Sequence, residues 1–352
     1  GAEGSRGMLT AIATSMITVA GVTFSITMAA LAQAAGQYSP LVLRNFMRDR
    51  ANQLVLGTFG GIFVYCLIVL RSIRGGEDEF IPTLAVTLAL VHALIGIGVL
   101  LYFIHHMASV LQASSMLAII AGRTLRSFDT LFPEQLGDGV DETGAPDCRR
   151  ELEGRQWERI RPRQTGYVQS IDADTLLGVA RDADAVIRFE CAVGDFVIED
   201  LAVASIGLQQ EPDRSVLDAI RDSFIIGEYR TTEQDAAFGL RQIVDMGVKA
   251  LSPGINDPTT ACACLDYIGA IMVRLASRRV PSSERRVDGK LRIIAAGPTF
   301  KDMADLAFDQ MRHHARDHVV VLTAIVKAID RTAVVRSEEH TSELQSLNNL
   351  VC

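Results

Sequence analysis

Charge is absent near the start of the chain: between Gly7 and Leu43 there is no Asp, Glu, Lys or Arg. A run that long excludes the solvated surface of a globular domain, where charged side chains recur every few residues. A basic excess is also missing. The chain carries 34 Lys and Arg against 42 Asp and Glu, a formal charge of −8. That balance excludes nucleic acid as the expected partner, because phosphate backbones are held by basic surfaces. The six cysteines are scattered, and only Cys262 and Cys264 lie close together. No disulfide framework or zinc spacing results, so reduced thiols are expected. No P-loop, dinucleotide fingerprint, nucleophile elbow or paired metal-binding histidine motif occurs. The turn sequence VGDFVIED resembles that of biotinyl and lipoyl-type barrels but has no lysine to carry such a group. No cofactor is therefore expected.

Hydrophobic residues, by contrast, are plentiful, at 49% of the chain with a mean hydropathy of +0.22. About 20 apolar residues cross a bilayer as a helix. Met8–Ala35, Leu54–Leu70 and Phe80–Ile104 meet that length or nearly so. Charge becomes dense after about Arg149. The composition thus predicts an α-helical membrane region with three spans, followed by a mostly α cytoplasmic domain containing a small β unit, an α+β arrangement. Arg44, Arg48 and Arg50 follow the first span, and Arg123 and Arg126 follow the third. Arg71 and Arg74, beside Glu77, Asp78 and Glu79, follow the second. By the positive-inside rule, 36–53 and everything after 105 are cytoplasmic and 71–80 is external. This topology leaves Gly1 outside, so at least one further span is expected upstream.

Two features of the spans go beyond hydrophobicity. Thr14, Thr18, Gly21 and Ser25 share one helical face. Such a face lines a pore, or packs closely against another helix. His92 is an ionisable residue in mid-span, where function is the default hypothesis. His105 and His106 end the third span and are weak candidates for a metal; a polar pair closing an apolar stretch serves equally well.

Residues 1–106 are therefore assigned to the membrane region and 107–165 to a helical extension and linker. Residues 166–210 form the small β unit, with a helix near 174–181, and 211–335 a mainly helical domain. The tail is set aside: Arg336 to Ser346 reads RSEEHTSELQS, which matches the in-frame translation of a common sequencing adapter, so 336–352 is treated as an artefact. Thr232 is expected to cap a helix reaching about Leu251. Asp288-Gly289 is expected to turn a hairpin between RRV and KLRII.

The stretch LSPGINDPTTA, Leu251 to Ala261, reads as a helix–loop–helix corner. Gly254 is expected to close the first helix in a left-handed conformation. Asp257 is the expected N-cap of the next, with Pro258 in its first turn. Asn256 has no capping role in this reading. Arg230, Asp235, Asn256 and Asp257 form a candidate binding or interface group. An enzyme would draw on Glu228, Arg230, Glu233, Asp235, Arg241 and Asp245, beside Asn256 and Asp257. Carboxylates and arginines on helices more often form solvated ion pairs, so no catalytic residue is assigned and an enzyme is not expected.

The segments SMITVAGVTFSITMAALAQAAGQYSPLVLRNFMRDR, YFIHHMA, GYVQSID, GDFV, RTTEQDAAFGLRQIVDMGVKALSPGINDPTTA and TFKDMADLAFDQMR, in that order, carry a resemblance. Over about 8–331 the chain resembles the bacterial predicted membrane proteins of domain-of-unknown-function family 2254. The resemblance implies a multi-span membrane region, a cytoplasmic domain and no established activity. Asp200 stands where the family tends to have glycine after GDFVIE. The expected protein is an inner-membrane homo-oligomer, channel- or transporter-like, with a cytoplasmic regulatory domain. A membrane-anchored scaffold or assembly factor is the first alternative and a membrane-anchored enzyme the second. Its partners are the lipid bilayer and an ion or small molecule of unknown identity.

Overall fold

The computed structural model describes residues 1–37, 50–74, 80–110, 113–131, 138–139, 151–209, 212–232, 234–278 and 283–348. The chain divides into two units, Gly1–Met116 and Leu117–Cys352.

The described residues of the first unit include the helices α1 (Ala2–Gln37), α2 (Arg50–Ser72) and α3 (Thr83–Val110). They surround a core of Leu9, Ala13, Met16, Phe59, Ile62 and Phe103, among others. Arg6 Nη2 on α1 donates to Ile73 O just beyond α2, at 2.8 Å, which sets the two helices antiparallel. Arg74 and Phe80 exchange backbone hydrogen bonds of 3.1 Å and join α2 to α3. Hydroxyl side chains within these apolar helices bond back one turn, as Thr18 does to Thr14 O (2.7 Å) and Ser25 to Gly21 O (2.9 Å). Each therefore satisfies its polarity without a second helix. The outward surface is apolar, with Leu84, Leu94 and Leu101 all exposed.

The second unit begins within the first turns of α4 (Ala113–Leu131). The sequence treats this stretch as an extension of the third span. The structure instead packs α4 into the second unit: a Cβ on Gly239 would collide with the Thr124 hydroxyl. Thr124 is fully buried and donates to Ile120 O at 2.8 Å.

Its β structure is larger than the expected unit. A six-stranded sheet runs in the order β1-β8-β9-β4-β6-β2, and a three-stranded one in the order β5-β3-β7. The strands are β1 (Asp138–Gly139), β2 (Gln156–Ile160), β3 (Gly166–Ile171), β4 (Val186–Phe189) and β5 (Phe196–Val197). They continue with β6 (Ala204–Leu208), β7 (Phe224–Gly227), β8 (Glu284–Val287) and β9 (Lys290–Ile294). β2 lies inside the expected linker, and β9 pairs in parallel with β4, Ile187 opposite Ile293. The β8–β9 hairpin turns where predicted. Asp288 and Gly289 both have positive φ, 52° and 74°, as a type I′ turn requires. Helices α5 (Ala173–Asp182) and α6 (Arg214–Asp222) pack with the strands around Ile187, Ile206, Leu176 and Ile220. Arg292 secures the end of α5, donating from Nη1 to Asp184 Oδ1 (2.8 Å) and Ala180 O (3.2 Å). A cation at a helix C-terminus satisfies orphan carbonyls and opposes the dipole.

The helical part adds α7 (Ala236–Ala250), α8 (Pro258–Ala276), α9 (Phe300–His314) and α10 (Val319–Asn348). The cap of α7 is Asp235 rather than Thr232: its carboxylate accepts from Phe238 N at 2.8 Å. Threonine three residues earlier lies outside the helix altogether. Among the described residues, four helices are long and apolar enough to cross a membrane, α1, α2, α3 and also α8. They are covered unequally. Half of the most apolar window of α8 is buried, against 22, 28 and 17% for the other three. A helix apolar on every side belongs either in lipid or in a protein core, and α8 has Leu265, Ile268, Ile271 and Met272 buried.

Candidate functional site

The sequence singles out groups in both units, and the structure places them in separate settings. On α1, Thr14, Thr18, Gly21 and Ser25 lie together on an exposed face, with no atom within 4 Å of a Cβ built on Gly21. The buried hydroxyls are others: Thr23 and Thr27 are 1 and 7% exposed. Asn52 on α2 is buried as well, and its Oδ1 has no hydrogen-bond partner. The Arg6–Ile73 contact fixes the antiparallel register, and equal rise along both helices brings Thr27 level with Asn52. A polar interior at that end was not foreseen. An Asn two residues after Arg50 reads as an interfacial residue, and its inward orientation is set only by packing.

His92 is half-buried, with Nδ1 2.8 Å from Leu88 O and its ring 5.1 Å from that of Tyr65. His106 stacks on Tyr102 at 5.7 Å. Among the described residues no group of three His, Cys, Asp or Glu converges as a metal site would.

In the second unit Arg230 and Asp235 come together. Arg230 Nε and Nη2 lie 2.8 and 2.7 Å from Asp235 Oδ2, while Oδ1 caps α7. The Asp235 side chain is 3% exposed. Burial raises its carboxyl above the ordinary range, and Arg230 and the Phe238 amide pull it back only in part. Gly194, with φ of +93°, lies directly against this pair. Nearby, burial pushes the Cys191 thiol up to about 12, assisted by Asp195 and Glu190, which leaves it an unreactive thiol.

The corner behaves largely as read. Asp257 accepts from Thr260 N at 3.0 Å and from the Thr260 hydroxyl, bonds that hold its carboxyl below the usual range. The left-handed residue, however, is Asn256 (φ +48°) and not Gly254. Asparagine tolerates that conformation better than other side chains that carry a Cβ. Asn256 N bonds Ser252 O at 2.9 Å, and Asp257 N bonds Ala250 O at 2.8 Å. Asn256 and Asp257 thus follow the C-terminus of α7, whereas Arg230 and Asp235 precede its N-terminus. The 15 residues of α7 separate them by roughly 22 Å. The remaining charged residues of the enzyme reading are dispersed along α7 or its approach, and Glu233 lies outside the described residues.

A further charged groove holds Arg161, Arg163, Arg214 and Arg221 with Glu199, Asp200 and Asp218. Arg163 pairs with Asp222 at 2.8 Å, and Arg221 with Asp218. The segment RIRPR, from Arg159, is its signal in the sequence, but the carboxylates leave it close to neutral.

A family profile described as predicted membrane protein, DUF2254, matches residues 1–331. An uncharacterized protein of Mycobacterium bovis is 32% identical over 340 residues, covering 94% of this chain and 64% of its own length. Two uncharacterized proteins of Mycobacterium tuberculosis, from strains H37Rv and CDC 1551, match with the same identity and coverage. The chain therefore spans 64% of the length of these curated relatives. No solved structure matches it.

Proposed function

Because the chain belongs to the DUF2254 family of predicted membrane proteins, we propose that it is a subunit of a channel- or transporter-like homo-oligomer with a cytoplasmic regulatory domain. In this reading α1, α2 and α3 cross the membrane, and α8 is an interior helix of the soluble domain. The arginines after the first and third spans support a cytoplasmic second unit.

One observation carries the reading. The Thr14–Thr18–Gly21–Ser25 face of α1 is exposed in the three-helix unit, while the apolar side of α1 builds the core. The hydroxyls of this face bond back along α1, so the face needs no polar partner, and its small residues suit either the close approach of another helix or the wall of a pore. The test is cysteine substitution at Thr14, Thr18 and Ser25 in the purified oligomer reconstituted in liposomes. Reaction with small polar thiol reagents, together with measurable ion flux, supports an aqueous path. Cysteines at buried Thr23 and Thr27 serve as controls. If all five positions are inert and no flux appears, the face is a packing surface.

The scaffold reading has its own support in α10, which exposes Val319, Val326 and Ile329. Apolar positions at heptad-like spacing suit another helix.

A further inference from the structure

A second groove of the soluble unit differs in kind from the charged one. It lies between α4 and α8, encloses about 510 Å³ and is lined by Leu125, Arg126, Ala270, Val273, Arg274 and Ser277. Leu125, Ala270 and Val273 give it an apolar floor, with two guanidinium groups beside it. Among the described residues no carboxylate lines it. The groove of Arg161 and Arg214, by contrast, sets Glu199, Asp200 and Asp218 among its arginines.

The positive charge of this groove is not cancelled locally. Arg126 forms no hydrogen bond or ion pair among the described residues. Its Nη1 lies 3.9 Å from a Cβ built on Gly122, so the side chain folds back one turn along α4, towards the end of that helix that follows α3. Arg274 is in the last turn of α8. The negative end of a helix dipole opposes an anion, but here the orphan carbonyls are met: Ser277 donates from its amide to Val273 O and from its hydroxyl to Arg274 O, both at 3.0 Å. The two guanidinium groups therefore set the sign of the groove.

Charge beside an apolar floor selects an amphiphile. An inorganic anion would leave the floor wet, and an apolar ligand would leave both arginines without a counterion. Guanidinium forks pair with phosphate oxygens through parallel hydrogen bonds. The volume falls within the roughly 300–1,000 Å³ of small-ligand sites. Arg126 stands on the helix that follows α3, and basic residues on the cytoplasmic side of a span meet an anionic leaflet.

We propose that the groove between α4 and α8 binds an anionic phospholipid, its phosphate between Arg126 and Arg274 and part of one acyl chain over Leu125, Ala270 and Val273. The choice of a lipid rests on the reading of α3 as a span with the residues after it cytoplasmic. A zwitterionic choline head fits less well, because the groove offers its ammonium no carboxylate or aromatic ring.

The test measures binding of a fluorescent phosphatidylglycerol to the purified full chain in detergent at physiological salt, against phosphatidylcholine carrying the same fluorophore. Phosphatidylglycerol is expected to bind more tightly. Arg126→Gln and Arg274→Gln are each expected to weaken it about five-fold, the worth of one basic residue near an anionic surface. Ala270→Glu, at an exposed position of α8, puts a carboxylate on the floor and is expected to abolish the preference. Arg161→Gln with Arg214→Gln, in the charged groove, is expected to change neither lipid. Equal affinity for the two lipids, or unchanged affinity in both single arginine variants, overturns the site. So does an equal loss in the Arg161 and Arg214 control, which would show attraction by overall charge. Displacement of the lipid by an equal concentration of inorganic phosphate overturns the lipid in favour of a free anion. Insertion into nanodiscs separates this proposal from the reading beneath it. A chain that does not insert loses both its spans and its lipid, whereas one that inserts and shows no lipid preference loses only the groove.

Discussion

Gly194 and Asp235 are in direct contact: the glycine's α-carbon faces the buried carboxylate so closely that a methyl group there would collide with Asp235 Oδ2 and lie 2.7 Å from Arg230 Nη2. The turn after β4 and the cap of α7 are thus fitted to each other, joining sheet and helices within the second unit. Gly194→Ala combines this collision with a φ of +93° that disfavours any side chain. It is expected to cost about 2 kcal/mol or more. Thermal unfolding in detergent checks this, and an unchanged midpoint would mean that the turn relaxes without loss.

Two carboxylates are expected to respond to pH in opposite directions. Asp235 is raised above its ordinary 3.8 by burial. The folded state then binds its proton more tightly than the unfolded chain, so stability falls as pH rises from 3.8 through the folded value. Asp257 is lowered by its bonds to Thr260. Its contribution is present above 3.8 and disappears as pH falls through the folded value. Asp235→Asn should flatten the stability profile above 3.8, and Asp257→Asn should flatten it below. Stability measured against pH for both variants decides the matter, and identical changes in the two would contradict the assignment.

Asn256 has a backbone role that its lack of a capping bond conceals. With φ at +48°, Asn256→Ala is expected to cost about 1 kcal/mol, while Asn256→Gly should be neutral or slightly stabilising. A melting comparison of the two variants distinguishes this from a position where side-chain contact matters, at which glycine would be the worse of the pair.

A double-mutant cycle can separate the two ends of α7. Arg230 and Asp257 are expected to couple by no more than about 0.3 kcal/mol, the level found for independent sites. Arg230 and Asp235 should couple by about 1 kcal/mol or more, since removing one member of a buried pair strands the other. Equal coupling in both cycles would indicate a connection along α7 that the contacts do not contain.

Much of this architecture can be read from local sequence. Asp257 followed by Pro258 gives the start of α8, Asp288-Gly289 gives a hairpin, and charge-free runs give the apolar helices, because each signal is complete within a few residues. Other features depend on partners distant in the chain. Gln156–Ile160 carries three polar or charged residues, Gln156, Glu158 and Arg159, around one tryptophan and looks like linker until β6 supplies the pairing strand. Gly254 looks like the helix terminator by residue type, yet the corner's hydrogen bonds place the positive φ two residues later, at Asn256. Arg230 and Asp235 were singled out in one group with Asn256 and Asp257, but Gly194 was not, since its contact spans about 40 residues. The inward turn of Asn52 and the Tyr65–His92 stack likewise need the packing of three helices before they exist.

The sheet order also constrains when the second unit can form. β4 needs β9 on one side and β6 on the other, and β8 holds β1 from far earlier in the chain. No prefix ending before Ile294 contains a complete six-stranded sheet. During synthesis the apolar helices emerge first, while β4 waits with one edge unpaired for about 100 residues of further chain. The nascent protein thus passes through a stage that is anchored but unfinished, with an open strand edge exposed to its neighbours. Truncations between β7 and β9 should stop it there, yielding chains that reach the membrane and aggregate on it.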